Sequence, residues 1–589
     1  MQDCRKCSDR PQKREVNACN TESRKAEQRG PWNQKGDACW ERIPRILIAA
    51  PASGSGKTMV TCGLMELLRQ RGMSLVSFKC GPDYIDPAFH SYVLGIRGYN
   101  LDSFFLEDKA VEAFFRQKAK GRDLAVIEGV MGYYDGIAGT STRASTYDIA
   151  RITDTPVILV ADGKKSSLSM AALVKGFVEY RQDSRIAGVI LNRTSPDMEE
   201  RLRPCLEEVG VACLGAVPEC DEARLESRHL GLTLPWEQGR LRDRMARLAD
   251  RLEKCLDVDG ILTLAGAEAG HGAREKEAGY AAAEAEAVYV AERVKAGYGT
   301  SGAESGKNGS SPLAGEGAGQ GSGRSGRRIA VAMDEAFCFY YQENLDFLME
   351  HGWELVPFSP IRDKCVPEHV DALLLGGGYP ECYARELSGN QQMLQAVREA
   401  AAGGVKLLAE CGGFLYLHKN LEGLDKTMYP MVGLIPADGF SGEKLSRFGY
   451  VILERSQWAT DLLEEKCSWE EGASEELSLI REEGPSGGLS FIREEGPSGE
   501  LSFSREKASC KEHLPSAEVI RGHEFHYWDS TRPGNSMTAK KPSSPRQWPC
   551  MYVTGQMMAG FPHLYYPSGP SWILDFLEGK KTGNRSGSI

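Results

Sequence analysis

Short apolar runs alternate with amphipathic stretches along much of the chain. The run RILIAAP (45–51) predicts a buried strand, and MVTCGLMELLRQRG after it has the spacing of a helix. Four later runs also predict buried strands: SLVSFKC, LAVIEGV, TPVILVAD and AGVILNR. ACLGAVPE (212–219) predicts one more strand at the sheet edge, and RDRMARLADRLEKCL predicts a closing helix. This alternation is typical of a parallel, doubly wound α/β sheet.

A second α/β unit begins at RRIAVAMD, and it continues through WELVPFSP, ALLLGGGYP, VKLLAECGG and MVGLIP. The composition predicts the following division: a disordered tail at 1–43, an α/β domain at 44–262, a low-complexity linker at 263–326, a second domain at 327–579 and a tail at 580–589. Inside the second domain, about 459–515, lies an acidic near-repeat (LSLIREEGPSGG, then LSFIREEGPSGE). We expect a disordered surface insertion without chemistry there.

Composition and charge exclude several classes of function. The chain has 589 residues, of which 41% are apolar and 26% charged, as in a globular protein. Its net charge of −11 gives no basic field for nucleic acid. No apolar run approaches the roughly 20 residues that cross a bilayer, and the N-terminus has no signal-peptide core. We therefore expect a cytoplasmic protein that binds neither nucleic acid nor membrane.

The loop between the first strand and the first helix has the composition of a phosphate-binding loop. It reads PASGSGKT, with Pro51 where the standard motif has its first glycine. Backbone N–H groups and the helix N-terminus can wrap a phosphate, Lys57 can neutralise it, and Thr58 can bind Mg²⁺. The candidate nucleotide-binding residues are Ser53, Gly54, Ser55, Gly56, Lys57 and Thr58.

Two further loops bring carboxylates to strand ends. Glu128 closes the strand LAVIE, at the edge where open α/β sheets bind ligands, and is a candidate Mg²⁺ ligand. Asp135 follows in the same loop. The segment KCGPDYIDPAFH (79–90) concentrates functional groups in a loop stiffened by glycine and proline. A plain surface turn explains its Gly-Pro-Asp but not that density.

A candidate thiol site lies in the second unit. In VKLLAECGG a buried strand is followed by Cys411 and two glycines, the pattern of a nucleophile elbow. We expect the following helix N-terminus to lower the thiol pKa. The amide of Gly412, with one from the triple-glycine loop centred on Gly377, would stabilise an oxyanion. The motif GHEFH offers two histidines as the base.

These motifs together resemble a known family, the cobyrinic acid a,c-diamide synthases, which are related to cobyric acid synthase. The segments that carry the resemblance are SGSGKT, FKCGPDYIDPAFH, NLDSFF, IEGVMGYYDG, ESRHLGL, LLLGGGYPE, LAECGGFLYL, SRFGY and GHEFHYWD. They run in family order over roughly 44–260 and 327–577. The resemblance implies a P-loop-type ATP-binding domain followed by a class I-like glutamine amidotransferase domain.

The resemblance also implies roles in the amidotransferase domain. Cys411 would attack glutamine, form a thioester and release ammonia, and His526 rather than His523 would raise its nucleophilicity. The wider class has a glutamate two residues after this histidine, where this chain has Trp528. A Cys-His dyad is therefore implied, with the third member in doubt.

In the first domain the resemblance implies activation of a cobyrinic acid carboxylate by ATP and Mg²⁺ as an acyl phosphate, which ammonia attacks. Thr58, Glu128 and one of Asp83 or Asp86 would bind the metal, with Asp86 preferred. Asp83, Tyr84, Asp86 and Asp135 would act on the substrate side or as relays. Ammonia must cross between the sites unprotonated, so we expect the two domains to pack with their active faces together.

Other functions remain open from sequence. Cobyric acid synthase and nickel-sirohydrochlorin a,c-diamide synthase share the architecture, and the metal state of the macrocycle is not fixed by these motifs. A partitioning-type ATPase switch is compatible with the first 260 residues but has no use for the Cys411 domain. A homodimer is compatible with the sequence.

Deleting 464–512 should leave glutamine-dependent turnover largely intact, because the charged repeat carries no predicted chemistry. Steady-state amidation by the deletion variant and the full chain checks this. Loss of turnover by a variant with an unchanged circular dichroism spectrum would show that the insertion has a role.

Overall fold

The computed structural model describes residues 43–220, 227–228, 231–232, 241–267, 326–442, 445–455 and 519–579. The predicted N-terminal tail, linker, acidic insertion and C-terminal tail therefore lie almost wholly outside the described residues. The boundaries proposed for them stay predictions. Among the described residues, no helix combines the length and apolar character needed to cross a membrane.

Seven parallel strands form the sheet of the first domain, in the order β3-β2-β4-β1-β5-β6-β7. They are Arg45–Ala49 (β1), Leu75–Cys80 (β2), Gly98–Leu101 (β3), Leu124–Glu128 (β4), Val157–Asp162 (β5), Ile186–Asn192 (β6) and Ala212–Val217 (β7). The five apolar runs are strands as predicted, and β7 is at the edge as expected. Their near-continuous burial follows from helices covering both faces of the sheet.

Among its described residues this domain has eight helices. They are Lys57–Gln70 (α1), Ile85–Tyr92 (α2), Asp108–Ala119 (α3), Thr146–Ile152 (α4), Ser169–Glu179 (α5), Pro196–Glu208 (α6), Leu241–Cys255 (α7) and Val258–Ala265 (α8). One core cluster lies under α1, α2, α7 and α8, and the other lies under α3 to α6. The prediction that α7 closes the unit is wrong, because α8 follows and buries Ile261 and Leu262 in the first cluster. Two-residue strands lie at Ser227–Arg228 (β8) and Gly231–Leu232 (β9).

The second domain has a central six-stranded sheet in the order β11-β10-β12-β13-β23-β22. Its strands are Arg327–Ala332 (β10), Trp353–Phe358 (β11), Ala372–Leu375 (β12), Lys406–Glu410 (β13), Tyr552–Val553 (β22) and Met557–Gly560 (β23). The late strand β23 pairs in parallel with β13, so the chain returns to the sheet centre after the acidic insertion. This places the segment after Gly560 beside the end of β13, where Cys411 lies.

A four-stranded mixed sheet, a five-stranded antiparallel sheet and five helices complete the described part of this domain. The strands are His418–Glu422 (β14), Met428–Pro430 (β15), Ile435–Ser441 (β16), Arg447–Arg455 (β17), Ile520–His526 (β18), Trp528–Ser530 (β19), Met537–Lys540 (β20), Gln547–Cys550 (β21) and His563–Leu564 (β24). The helices are Gln342–Glu350 (α9), Ala384–Gly389 (α10), Gln391–Ala402 (α11), Gly412–Tyr416 (α12) and Pro570–Glu578 (α13). The apolar run MVGLIP is mostly a buried connection between β15 and β16, with only its end in β16.

The two domains belong to one compact unit and contact each other through the carboxyl edge of the first sheet. The Tyr450 hydroxyl donates to Asp102 across 2.7 Å, and the Arg521 guanidinium donates to the carbonyl of Phe105 across 2.9 Å. Asp102 and Phe105 follow β3 directly, so the ligand-binding edge of the first sheet faces the second domain. A buried aromatic cluster joins both domains, formed by Tyr84, Phe104, Phe105, Tyr341 and Tyr565 with Ala144.

Ion pairs reinforce this contact at the amino-terminal side of β3. Asp346 of α9 accepts hydrogen bonds from Arg97 and Lys118, each across 2.6 Å. The Asp346 side chain is 8% exposed. Burial alone would raise its pKa, but the two cations outweigh burial and the net pKa is lowered. Asp346 is therefore a charged anchor of the second domain on the first.

Replacing Asp346 with alanine should lower stability by about 2–4 kcal/mol, because two largely buried cations lose their partner. Thermal unfolding of the variant and the wild type measures the change. A carboxyl with a lowered pKa in the folded state stabilises above its unfolded pKa of about 3.9, and that contribution is lost as pH falls through its folded pKa. The difference between the proteins should shrink on acidification. Glu354→Ala, which removes an exposed ion pair to Arg328, is the control and should change little.

Candidate active sites

The end of β6 contacts the phosphate loop and fixes its backbone. Gly56 precedes α1 with φ of +93°, and a Cβ there would lie 2.1 Å from Nδ2 of Asn192. That amide donates to the carbonyl of Ser55 across 2.8 Å. Only glycine therefore fits at 56, and Ala52, Ser53 and Gly54 are exposed at the loop tip. Asn192 was not among the residues predicted for the site, although a polar residue at the end of an apolar strand indicates a position at the ligand-binding edge of the sheet.

The candidate metal ligands of the first domain come together around a buried lysine. Thr58 Oγ1 donates to Glu128 Oε1 across 2.5 Å. Lys79 Nζ donates to the same oxygen across 2.8 Å and also to Asp86 Oδ2. On the far side, His90 Nε2 lies 3.2 Å from Glu128 Oε2. Strand ends β2 and β4 and the start of α1 thus converge on one cluster of charge.

The pKa values of the two carboxylates of this cluster shift in opposite directions. Burial raises the pKa of Asp86 to about 8, with Asp83 adding to the effect and Lys79 opposing it. For Glu128, burial also acts to raise the pKa, but Lys79 and His90 outweigh it and the net pKa is well below its ordinary value. Burial and the neighbouring charge of Lys79 lower the pKa of Lys57. Glu128 is therefore the permanent anion of the phosphate site.

Three other candidates of the first domain lie outside this cluster. Asp83 accepts from the backbone N–H of Ile85, across 2.8 Å, and so caps the start of α2. Asp135 accepts from the N–H of Gly132 across 3.0 Å and closes its own turn. Tyr84 places its ring in the contact between the domains. The structure gives Asp83 and Asp135 local backbone partners, and their substrate roles stay predictions.

Cys411 occupies a strained turn between β13 and α12, as a nucleophile elbow requires. Its φ is +48° and its ψ is −101°, a conformation that L-residues rarely adopt. Its N–H donates to the carbonyl of Gly560 across 2.8 Å, and the N–H of Gly413 donates to Gly376 across 2.9 Å. These bonds fix the turn between β23 and the triple-glycine loop.

The glycines around the thiol are packed too closely for any side chain. A Cβ on Gly412 would lie 2.8 Å from Pro380 and 3.0 Å from the amide nitrogen of Gly378. The amide of Gly412 acts to lower the pKa of the Cys411 thiol. Gly377 uses its carbonyl to accept from Cys338 and Phe339. The amide of Gly378 lies beside Gly412, and the oxyanion role expected of Gly377 stays a prediction.

The surroundings of His526 fix its tautomer, with the proton on Nδ1 and Nε2 available as a base. Its Nδ1 lies 2.6 Å from the carbonyl of Trp528, an acceptor that requires the proton on Nδ1. Nε2 is buried and has no hydrogen-bond partner among the described residues. The ring stacks on Phe561 with centroids 3.9 Å apart, and Phe561 follows the glycine that accepts from Cys411. The backbone carbonyl of Trp528 therefore orients His526, in place of the third acid.

His523, the other histidine of the motif, projects from the opposite face of β18. Its ring contacts Phe448 and Tyr450 at centroid distances of 5.7 and 5.9 Å. Strand alternation puts His526 and Glu524 on one face and His523 on the other. The arrangement favours His526 as the partner of Cys411.

The expected lowering of the Cys411 pKa is wrong for the structure described. Burial raises the pKa of the thiol, and the nearby carboxylates of Glu381, Glu524 and Glu410 raise it further. The amide of Gly412 acts in the opposite direction but does not offset them. Burial also lowers the pKa of His526 to about 4. At pH 7 these shifts favour the neutral forms of both the thiol and the imidazole.

Two residues next to the thiol were missed from sequence. Glu410 ends β13 directly before Cys411, and burial raises its pKa to about 8. His563 Nδ1 lies 3.8 Å from Glu410 Oε2. Glu410 was visible beside the nucleophile in the sequence, whereas His563 lies about 150 positions away, which gave no signal.

Comparison with known proteins identifies both domains. Residues 46–232 match the profile of the CobQ/CobB/MinD/ParA nucleotide binding domain, and residues 328–464 match that of the CobB/CobQ-like glutamine amidotransferase domain. The chain is 32% identical over 545 residues to the cobyrinate a,c-diamide synthase of Listeria innocua, covering 91% of this chain and 100% of that protein. The chain belongs to the a,c-diamide synthase family.

Other members of the family differ in the substrate that their names give. The chain is 39% identical over 412 residues to the hydrogenobyrinate a,c-diamide synthase of Streptomyces coelicolor, covering 69% of this chain and 82% of that protein. It is 32% identical over 538 residues to the cobyrinate a,c-diamide synthase of Salmonella typhimurium, covering 90% of this chain and 97% of that protein.

Family membership confirms the resemblance seen in the motifs. The protein is an ATP-dependent amide ligase with a glutamine amidotransferase domain. An ATPase switch without the second domain's chemistry is set aside.

Alkylation of Cys411 by iodoacetamide should accelerate about tenfold per pH unit between pH 7 and 9, since the thiolate reacts and the thiol pKa lies above that range. Mass spectrometry of the peptide that contains Cys411 gives the rate at each pH. Cys411→Ser identifies the signal by its loss. A rate that levels off near pH 7 would contradict the neutral thiol.

Proposed function

We propose that this protein amidates the a and c side-chain carboxylates of cobyrinic acid, using ATP and glutamine. The observation that carries the proposal is the similarity to a cobyrinate a,c-diamide synthase over 91% of this chain. The reaction belongs to cobalamin biosynthesis and would take place in the cytoplasm. A homodimer stays a prediction.

In the glutamine half, the Cys411 sulfur attacks the side-chain carbonyl of glutamine and gives its proton to Nε2 of His526. The amides of Gly412 and of the triple-glycine loop stabilise the oxyanion. His526 then returns the proton to the leaving nitrogen, so ammonia departs and a thioester remains. Water attacks the thioester, with His526 as base, and releases glutamate and the thiol. Because Nδ1 of His526 donates to the carbonyl of Trp528, Nε2 is the ring nitrogen left to accept a proton, which supports this assignment.

In the ligase half, an oxygen of the substrate carboxylate attacks the γ-phosphorus of ATP. The bond from that phosphorus to the bridging oxygen breaks, giving ADP and an acyl phosphate. Ammonia then attacks the acyl carbon, phosphate leaves, and a proton is released as the amide forms. Lys57 and the loop amides bind the phosphates and balance charge on the transferring phosphoryl group. Phosphorylation is needed because the oxide of a carboxylate is a poor leaving group.

The residues of the phosphate site fit a magnesium ion. Thr58, Glu128 and Asp86 offer the hard oxygen donors that Mg²⁺ prefers, and Thr58 and Glu128 lie within hydrogen-bond distance of each other at the start of α1. Mg²⁺ bound there would neutralise charge on the β- and γ-phosphates of ATP. Lys79, which contacts both carboxylates, would hold them in place.

Because relatives are named for different substrates, closely related tetrapyrroles are alternative substrates. Hydrogenobyrinic acid lacks the cobalt of cobyrinic acid. Nickel-sirohydrochlorin and the cobyric acid synthase substrate remain sister alternatives. All of them are polycarboxylic tetrapyrroles, so the same chemistry applies.

Mass spectrometry of the protein incubated with cobyrinic acid, ATP, Mg²⁺ and glutamine tests the proposal. Two amidations should appear, each replacing OH by NH₂. Cys411→Ala should lose turnover with glutamine and keep turnover with ammonium chloride, because only the first half-reaction needs the thiol. Parallel reactions with cobalt-free and nickel tetrapyrroles rank the substrates. Unchanged mass of cobyrinic acid, with a sister substrate amidated, would overturn the choice of substrate.

A further inference from the structure

An aromatic contact links the loop of the phosphate site to the thiol site. Tyr84 of the first domain and His563 of the second have ring centroids 4.6 Å apart. We propose that Tyr84 and His563 are positioning residues that couple occupancy of the phosphate site to glutamine hydrolysis at Cys411. The inference deepens the proposed function and rests on it in treating both sites as parts of one reaction.

On the first-domain side, Tyr84 is tied to the phosphate site through its own loop. Asp86, two residues later, contacts Lys79, which also contacts Glu128. Asp83, directly before Tyr84, accepts hydrogen bonds from the N–H groups of Ile85 and Asp86 and fixes the turn. A change of ligand at Asp86 or Lys79 therefore acts on a short, internally bonded segment that ends at the Tyr84 ring.

On the second-domain side, the Tyr84 ring has little room to move independently. It is 9% exposed, and it packs on Tyr341 and Phe339 at centroid distances of 4.6 and 5.6 Å as well as on His563. Close-packed aromatic rings transmit displacement because there is no void to absorb it. A shift of Tyr84 must therefore displace its second-domain neighbours.

His563 lies beside two parts of the thiol site. A Cβ on Gly377 would lie 2.2 Å from its Cε1, so the ring lies against the triple-glycine loop. Its Nδ1 lies 3.8 Å from Glu410, the residue before Cys411. On β24, His563 pairs with His523 of β18. The residue next to the nucleophile and the triple-glycine loop thus share one neighbour.

The contact acts through packing rather than through an ion pair. Burial lowers the pKa of His563 to about 3, and burial raises that of Glu410 to about 8. Both groups are therefore mainly neutral at pH 7. The neutral His563 ring passes a displacement of Tyr84 to the thiol site by packing alone. Ionic strength should therefore not alter the coupling.

Glutamate release by the full-length protein, with and without ATP and Mg²⁺ and with and without cobyrinic acid, tests the coupling. Ligands at the phosphate site should raise the rate of glutamate release by the wild type by about 5- to 100-fold, within the usual range for coupled sites. Tyr84→Ala should lose this increase. More glutamate should then be released per amide formed. Tyr84→Phe, which keeps the ring, should retain the stimulation.

Two further variants separate coupling from general loosening. His563→Ala should lose the stimulation as Tyr84→Ala does, and the double variant should lose no more than either, because both act through one contact. Tyr450→Phe removes an interdomain hydrogen bond to Asp102 without touching His563, and it should keep the stimulation. Tyr84→Leu replaces Tyr84→Ala if the latter is not folded by circular dichroism.

Several results would overturn the inference. They are an unstimulated wild type, a Tyr84→Ala protein stimulated as strongly as the wild type, additive losses in the double variant, and an equal loss in Tyr450→Phe. Failure of the proposed substrate is seen separately, because ATP-stimulated glutamate release is measured without any tetrapyrrole. Cobyrinic acid that stays unamidated beside a stimulated wild type would reject that substrate and leave the coupling supported.

Discussion

Ammonia attacks a carbonyl only while it is unprotonated, and this requirement constrains the whole molecule. The thiol site that releases ammonia and the phosphate site that consumes it have to meet across a contact that excludes bulk water. In this protein that contact is aromatic: Tyr84, Phe105 and Tyr341 are buried where the carboxyl edge of the first sheet meets the second domain. The rigid anchors around it, such as Asp346 with its two cations, keep the two edges facing each other.

Both sites use the same local device, a side chain presented where a parallel strand ends. Glu128 closes β4 and Lys79 lies near the end of β2, whereas Cys411 follows β13. Strand ends are rigid because neighbouring strands fix them on both sides, and the loops beyond them are free to carry chemistry. Close glycine packing then removes any alternative position, as at Gly56 beside Asn192 and Gly377 beside His563.

The two sites differ in the charge of their buried groups: the phosphate site holds a charged carboxylate, whereas the thiol and imidazole of the thiol site are neutral. At the phosphate site, Lys79 and His90 keep Glu128 charged despite complete burial. At the thiol site, burial dominates and leaves both Cys411 and His526 neutral. A neutral pair holds no reactive thiolate in the absence of glutamine. The backbone carbonyl of Trp528 provides orientation without adding the charge that a carboxylate would.

The sequence by itself determined the two α/β domains, the phosphate loop, the elbow at Cys411 and the family, because these depend on short-range patterns of apolar residues, glycines and motifs. It missed β3, whose four residues include the polar Asn100, and α8, because its small apolar residues run directly into the Ala- and Gly-rich stretch. Only the tertiary structure decided which groups meet. Asn192, Lys79 and His563 reach their partners through sheet order, and the pKa of Cys411 depends on burial by distant segments rather than on the adjacent helix. Proximity across the chain and desolvation are properties of the packed molecule, so no local pattern could have supplied them.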